Sequence, residues 1–327
     1  MNIDSKTEWA VQEATIHHTP VLADAVSRLA CVTPGETWVD CTLGFAGHAH
    51  RLLADGATLI GIDQDRDARQ YATERLAPHS DRVQILAGNF RDLQTLLAEI
   101  DVSGVDGILA DIGVSSYQLD QDERGFSFRR LGPVDMRMDR DRGETALDLI
   151  ERLSKKELAR ILRKYGEEPF AHPIANAIHQ WKDGGGALNT QTLADVIRSA
   201  IPKGVRVKLK HHPATRSFQA LRIAVNEELA VLDGLLDAIP KLLNPGGRAL
   251  IISFHSLEDR IVKRRFNEWA GRNVKPGPGG RTLPSPVRPT FELLTNRPII
   301  ASKDECQANP RARTAKLRCV KKLGLVA

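Results

Sequence analysis

The strongest constraint on this chain is a rhythm in its first third. Short apolar runs at 36–43, 58–62, 83–86 and 105–110 alternate with helical patterns at 47–53, 67–76 and 93–100. Strands this short, separated by helices rather than by two-residue turns, cannot form hairpins and pair as parallel βαβ units. The fold class expected is therefore α/β, a doubly wound parallel sheet.

The rhythm breaks at about residue 117. From there to about 213 the pattern is helical and polar, with turns at 131–133 and 184–186. Helices are expected at 157–165, 175–181 and 190–200, the last opened by a threonine cap at Thr190. Strand–helix order then returns. Residues 214–243 read as one long helix, 244–247 as a turn, 248–254 as a fifth strand and 257–270 as a basic amphipathic helix. A proline- and glycine-rich loop follows at 275–289, then strands at 290–294, 298–301 and 314–322. The division expected is 1–116, first part of the core; 117–213, an inserted helical domain; and 214–327, second part of the core.

Apolar residues make up 42% of the 327, enough to build a buried core, and no stretch is long and apolar enough to span a membrane. Residues 1–18 carry acids and no apolar run, so a cytoplasmic protein with no membrane partner is expected. A net charge of +5 favours a polyanionic partner. Basic residues cluster at Lys203, Arg206, Lys208 and Lys210, at Lys263, Arg264 and Arg265, and at Arg311, Arg313, Lys316 and Arg318. A solvated face is the usual reading of any one cluster, though three together favour phosphate contacts. Cys31, Cys41, Cys306 and Cys319 form no C-x-x-C pair, and His17, His18 and His48 have no acid or cysteine at ligand spacing, so no metal is expected.

Ligands of open α/β sheets bind beyond the carboxyl ends of the strands. The first such tip, 40–48 (DCTLGFAGH), carries small residues at 44, 46 and 47 and is not G-x-G-x-x-G. At the second, Asp63 can accept both hydroxyls of a ribose; the alternative is a helix cap. At the third, Phe90 can lie against an adenine or in the core. The fourth, 111–120 (DIGVSSYQLD), puts Asp111 at the centre of the cleft, as a solvated loop acid or as an acceptor for a reacting amine.

Read together, these tips resemble the RsmH (MraW) family of bacterial 16S rRNA cytosine-N4 methyltransferases. The likeness runs from 18–22 (HTPVL) through both loops above to 123–128 (ERGFSF), 132–138 (GPVDMRM), 165–168 (YGEE), 212–216 (HPATR), 253–260 (SFHSLEDR) and 309–313 (NPRAR). It implies a Rossmann-like, S-adenosylmethionine-dependent methyltransferase core with an inserted helical domain. It implies cofactor contacts at Ala46, Gly47, His48, Asp63, Phe90, Asp111 and Gln118. The substrate implied is cytidine 1402 of 16S rRNA in the small ribosomal subunit, and a homodimer is one assembly to expect. Three positions depart from the family pattern: Ala46 and Cys41 stand where glycine is common, and Tyr117 where proline is.

The exocyclic nitrogen of cytosine shares its lone pair with the ring. Catalysis therefore calls for alignment with the methyl donor and for an acceptor that localises the lone pair, a role expected of Asp111. The flipped base needs walls, and Tyr117, Phe126, Phe128 and His255 are candidates, with core packing the alternative for both phenylalanines. Rival readings are a nicotinamide oxidoreductase, which would need the missing glycine fingerprint, a non-catalytic RNA-binding protein, and a DNA amino-methyltransferase.

Overall fold

The computed structural model describes residues 20–272 and 288–324. His17, His18, Thr19 and most of the expected loop 275–289 lie outside them. Backbone contacts divide the chain into two units, one running to Ile112 and resuming at Leu235, the other Gly113–Gly234.

The first unit opens with α1 (Ala23–Ala30), β1 (Thr37–Asp40), α2 (Gly47–Ala54), β2 (Thr58–Asp63), α3 (Arg66–Leu76), β3 (Val83–Ala87), α4 (Leu93–Ala98) and β4 (Val105–Asp111). The second contains α5 (Ser116–Asp120), α6 (Ala146–Arg152), α7 (Lys155–Gly166), α8 (Ala171–Asp183), α9 (Thr190–Ser199), α10 (Lys203–Arg206) and α11 (Thr215–Val225). The boundary falls within α12 (Glu228–Leu242), after which come β5 (Leu243–Ser253), α13 (Ser256–Trp269), β6 (Phe291–Leu293), α14 (Lys303–Ala308) and β7 (Lys316–Lys322).

The seven strands form one sheet in the order β3-β2-β1-β4-β5-β7-β6. β1 to β5 are parallel, while β7 runs antiparallel to β5 and β6 antiparallel to β7. Chain order reverses between β1 and β4, so their carboxyl ends flank the position where an open α/β sheet takes its ligand. Trp38, Val39, Leu59, Ile62, Ile108, Leu109, Leu250 and Ile252 are buried on both sides of the sheet. A Cβ on Gly107 of β4 would sit 2.1 Å from a ring carbon of Trp38, so only glycine lets the indole lie flat on the neighbouring strand. The Arg248 guanidinium lies 5.6 Å from the centre of that indole and pairs with Glu36, whose carboxylate also accepts the Trp38 Nε1–H at 3.1 Å.

In the second unit, α11 and α8 both pack on α7. Their shared core includes Leu158, Leu162, Ile174, Ile178, Phe218 and Leu221. Ser154 and Glu157 form a reciprocal cap at the start of α7. The irregular stretch 124–138 is held by polar side chains: buried Arg124 donates to the Met138 carbonyl at 2.9 Å, and half-buried Asn226 bonds the backbone of both Met136 and Met138 at 2.7 Å.

Four expectations change in detail. The helix expected at 214–243 is two helices, broken where Glu227 turns left-handed (φ 49°) and Asn226 is drawn out to bind the 136–138 backbone. Apolar spacing continues on both sides of that break, which is why periodicity missed it. α11 clusters with the second unit, so the return to the core falls at 235 rather than 214. The cap of α9 is Asn189, one residue earlier than expected, its side chain accepting from the N–H groups of Gln191 and Thr192. The expected turn at 244–247 is a bulged start to β5: Val105 pairs with Leu243 but Gly107 with Arg248.

Candidate active site

β1, β2 and β4 each end in an aspartate, and all three lie in the first unit. Beyond Asp40 the chain fans out to both neighbours, Cys41 N–H bonding the Leu109 carbonyl at 2.8 Å and Leu43 N–H the Ile62 carbonyl at 2.9 Å. Thr42, between them, accepts the Asp111 N–H at 2.7 Å through its hydroxyl. The turn that follows is tight. Gly44 (φ 49°) and Ala46 (φ 57°) are both left-handed. Ala46 is fully buried as the N-cap of α2, in a conformation that costs a residue with a Cβ about 1–2 kcal/mol. Gly47 and His48 form the first turn of α2, where backbone N–H groups have no partner within the helix.

The carboxyls sit in a poorly solvated place. Asp63 accepts from Gly44 N–H through Oδ2 and from Asp65 N–H through Oδ1, both at 2.8 Å. Each oxygen keeps a second lone pair, which is the arrangement a ribose diol requires. Burial still pushes Asp63 up to about 6. Asp40 is raised to about 7 by burial, with Asp63 adding to it and the Thr42 hydrogen bond opposing. Asp111 is raised furthest, to about 8, by burial and then by the charges of Asp40 and Glu258. Its Oδ2 lies 3.7 Å from Nε2 of the buried His48. Its Oδ1 is buried with no hydrogen-bond partner among the described residues.

Buried acids that raise one another's pKa form a well for positive charge. The residues therefore suit a cationic nucleoside: a diol acceptor at β2, a tight turn and helix start after β1, and an orphaned carboxylate oxygen at β4. Phe90, half-buried in the turn after β3, lies at the third tip.

Ala46, Gly47, His48, Asp63, Phe90 and Asp111 thus all lie at the strand ends of the first unit. Gln118 lies in the second, where its side chain and that of Ser115 cap the start of α5 reciprocally. Tyr117 is half-buried in the same helix. Phe126 is in the core of the second unit, so packing accounts for it. Phe128 stacks on His212 at 4.5 Å, with Phe218 edge-on at 5.0 Å. His255 caps α13: its Nδ1 accepts the Glu258 N–H at 3.4 Å, and its Nε2 is 3.0 Å from Glu258 Oε1.

Sequence reasoning passed over Asp40 and Glu258. Asp40 was legible by position, since it ends β1 as Asp63 ends β2 and Asp111 ends β4. Glu258 was not, because its burial depends on accepting the N–H groups of Phe254 and His255.

A model of the MraW methylase family matches residues 15–323. Ribosomal RNA small subunit methyltransferase H of Anaeromyxobacter sp. (strain Fw109-5) is 48% identical over 94% of this chain and 98% of its own length. The proteins of that name from Pelobacter propionicus and Geobacter sulfurreducens are 48% and 47% identical, over 95% and 94% of this chain and all of their own length. With such likeness along nearly its whole length, and an α/β sheet whose strand ends suit a cationic nucleoside, the chain belongs to the MraW methylase family.

Proposed function

We propose that this protein transfers the methyl group of S-adenosylmethionine to the exocyclic N4 of a cytidine in 16S rRNA, in the cytoplasm and on the small ribosomal subunit. The family and the name shared by the relatives support the reaction class and the RNA. The observation that carries the reading onto this chain is the row of raised carboxyls at the ends of β1, β2 and β4, with the Asp111 oxygen left unbonded.

S-adenosylmethionine supplies a methyl group on a positively charged sulfur. Asp63 would hold its ribose hydroxyls, the N–H groups of Gly47 and His48 its carboxylate, and Phe90 its adenine. Asp40 and Asp111 supply negative charge where the positive charge must sit.

Asp111 also carries the proposed chemistry. Held through its backbone by Thr42, it offers Oδ1 to the N4 amine, which localises the nitrogen lone pair for attack. No strong base is needed before the new N–C bond forms. The surplus proton leaves afterwards, through Asp111 or directly to water.

The test is transfer of labelled methyl from S-adenosylmethionine to small subunits lacking the modification, followed by nucleoside analysis. N4-methylcytidine at one site is expected. Methyl on another atom, or no transfer by protein that binds the cofactor, would overturn the reading.

A further inference from the structure

Of the three basic clusters, two contain ion pairs within the fold. Arg265 pairs with Asp237 and, like Arg264, lies beside Glu268. Lys316 and Arg318 share Asp259 at 3.2 and 2.7 Å. The third differs. Lys203, Lys208 and Lys210 are exposed and Arg206 half-exposed, and among the described residues none is paired with a carboxylate. Between these cations Val207 is 80% exposed and Leu209 40%. An acid-free run of cations interleaved with bare apolar side chains is a poor solvated face and a suitable track for a polyanion with apolar faces.

The run ends in a stacking surface. The imidazole of His212 is itself exposed and stacks on Phe128 at 4.5 Å and 27°. Its Nδ1 accepts the Ala214 N–H at 3.2 Å, which fixes the ring. Partial desolvation, then the charge of Arg198, lowers its pKa from the usual value, which favours the neutral ring. A neutral flat ring, backed by a second ring, is what an unpaired base stacks on. Lys208 precedes His212 by four residues, at most about 14 Å of chain, two nucleotide steps or so along a strand.

We infer that Lys203, Lys208 and Lys210 and the His212–Phe128 stack form a docking track on the second unit for a single-stranded segment of the ribosomal RNA. Phosphates lie on the lysines and one base lies on the open face of His212. The inference rests on the proposed RNA substrate and adds where it is held.

The experiment uses the full chain and small subunits lacking the modification, with methyl transfer and RNA binding measured across a salt series. Lys203→Gln, Lys208→Gln and Lys210→Gln together should raise KM at least tenfold and leave kcat within about twofold. They should also reduce the slope of log K against log salt by about 2, at roughly 0.7 per cation lost on a single strand. His212→Asn keeps an acceptor for Ala214 but loses the ring, and should raise KM about fivefold or more; His212→Phe keeps the ring and should stay near wild type. Cofactor affinity measured by calorimetry should be unchanged in all of them, which separates this inference from the proposed function. An unchanged KM and salt slope in the triple variant would overturn it. So would equal losses in His212→Asn and His212→Phe, or a triple variant that loses affinity for whole subunits but not for the isolated 16S rRNA, which would point to an acidic protein surface instead.

Discussion

Replacing Asp111 by asparagine should make the ligand-free protein more stable, and more so as the pH rises. In the folded protein this carboxyl holds its proton up to about pH 8, against 3.8 when unperturbed. Between those values the native state binds one more proton than the unfolded chain. Stability therefore falls as pH rises through the window, by up to about 1.4 kcal/mol per pH unit. From pH 5.5 to 7.5 the ceiling is nearly ~3 kcal/mol. The side chain is 23% exposed, so partial screening by water brings the expected figure to roughly 1–2 kcal/mol. An amide does not ionise, and its loss of charge also relieves Asp40. Urea unfolding of wild type and Asp111→Asn at the two pH values reads the effect directly. The gain in the variant should already be present at pH 5.5, which lies above 3.8, and be larger by at least about 1 kcal/mol at pH 7.5. Cofactor affinity should move the other way and fall in the variant. Parallel pH dependence in the two proteins would refute the argument that this acid is held in an unfavourable place.

Cofactor binding should release protons at pH 7, because a cation among Asp40, Asp63 and Asp111 lowers carboxyl pKa values now raised to about 7, 6 and 8; calorimetry in buffers of different ionisation enthalpy would show it, and affinity should rise between pH 6 and 8. Gly107→Ala should destabilise by about 2–3 kcal/mol or more, since its Cβ would enter the Trp38 ring, as measured by denaturant unfolding. Ala46→Gly should change stability by less than about 1 kcal/mol: relief of the left-handed strain is offset by the lost methyl and the looser unfolded chain. Asn226→Ala should cost about 2–4 kcal/mol, because the Met136 carbonyl and Met138 N–H lose their side-chain partner; thermal unfolding reports it.

Much of the sheet was legible because its signal is local. An apolar run ending in Asp63 or Asp111 marks both a strand and the side of the sheet on which it stops. The break between α11 and α12 was not, since Asn226 is pulled from the helix by backbone groups some ninety residues earlier. The carboxyl row was half legible. Position identified Asp63 and Asp111, whereas the further raising of Asp111 by Asp40 and Glu258 exists only once β1, β4 and α13 are brought together. The basic clusters looked alike in sequence. Which of them carry internal ion pairs depends on Asp237 and Asp259, acids whose proximity no spacing rule announces.

The pairing of β4 with β5 has a kinetic meaning. Asp111 leaves β4 and Leu243 begins β5, so roughly 130 residues intervene between neighbouring strands, a loop whose closure grows costlier only slowly with length but still requires a long search. β1, β2, β3 and β4, by contrast, follow one another with short connections. Refolding should acquire amide protection in β1–β3 before β5, β7 and β6, with the sheet completed in a later phase. In a cell, the carboxyl end of β4 would meanwhile be present without its β5 neighbour, an interval in which the nascent sheet carries an unpaired edge.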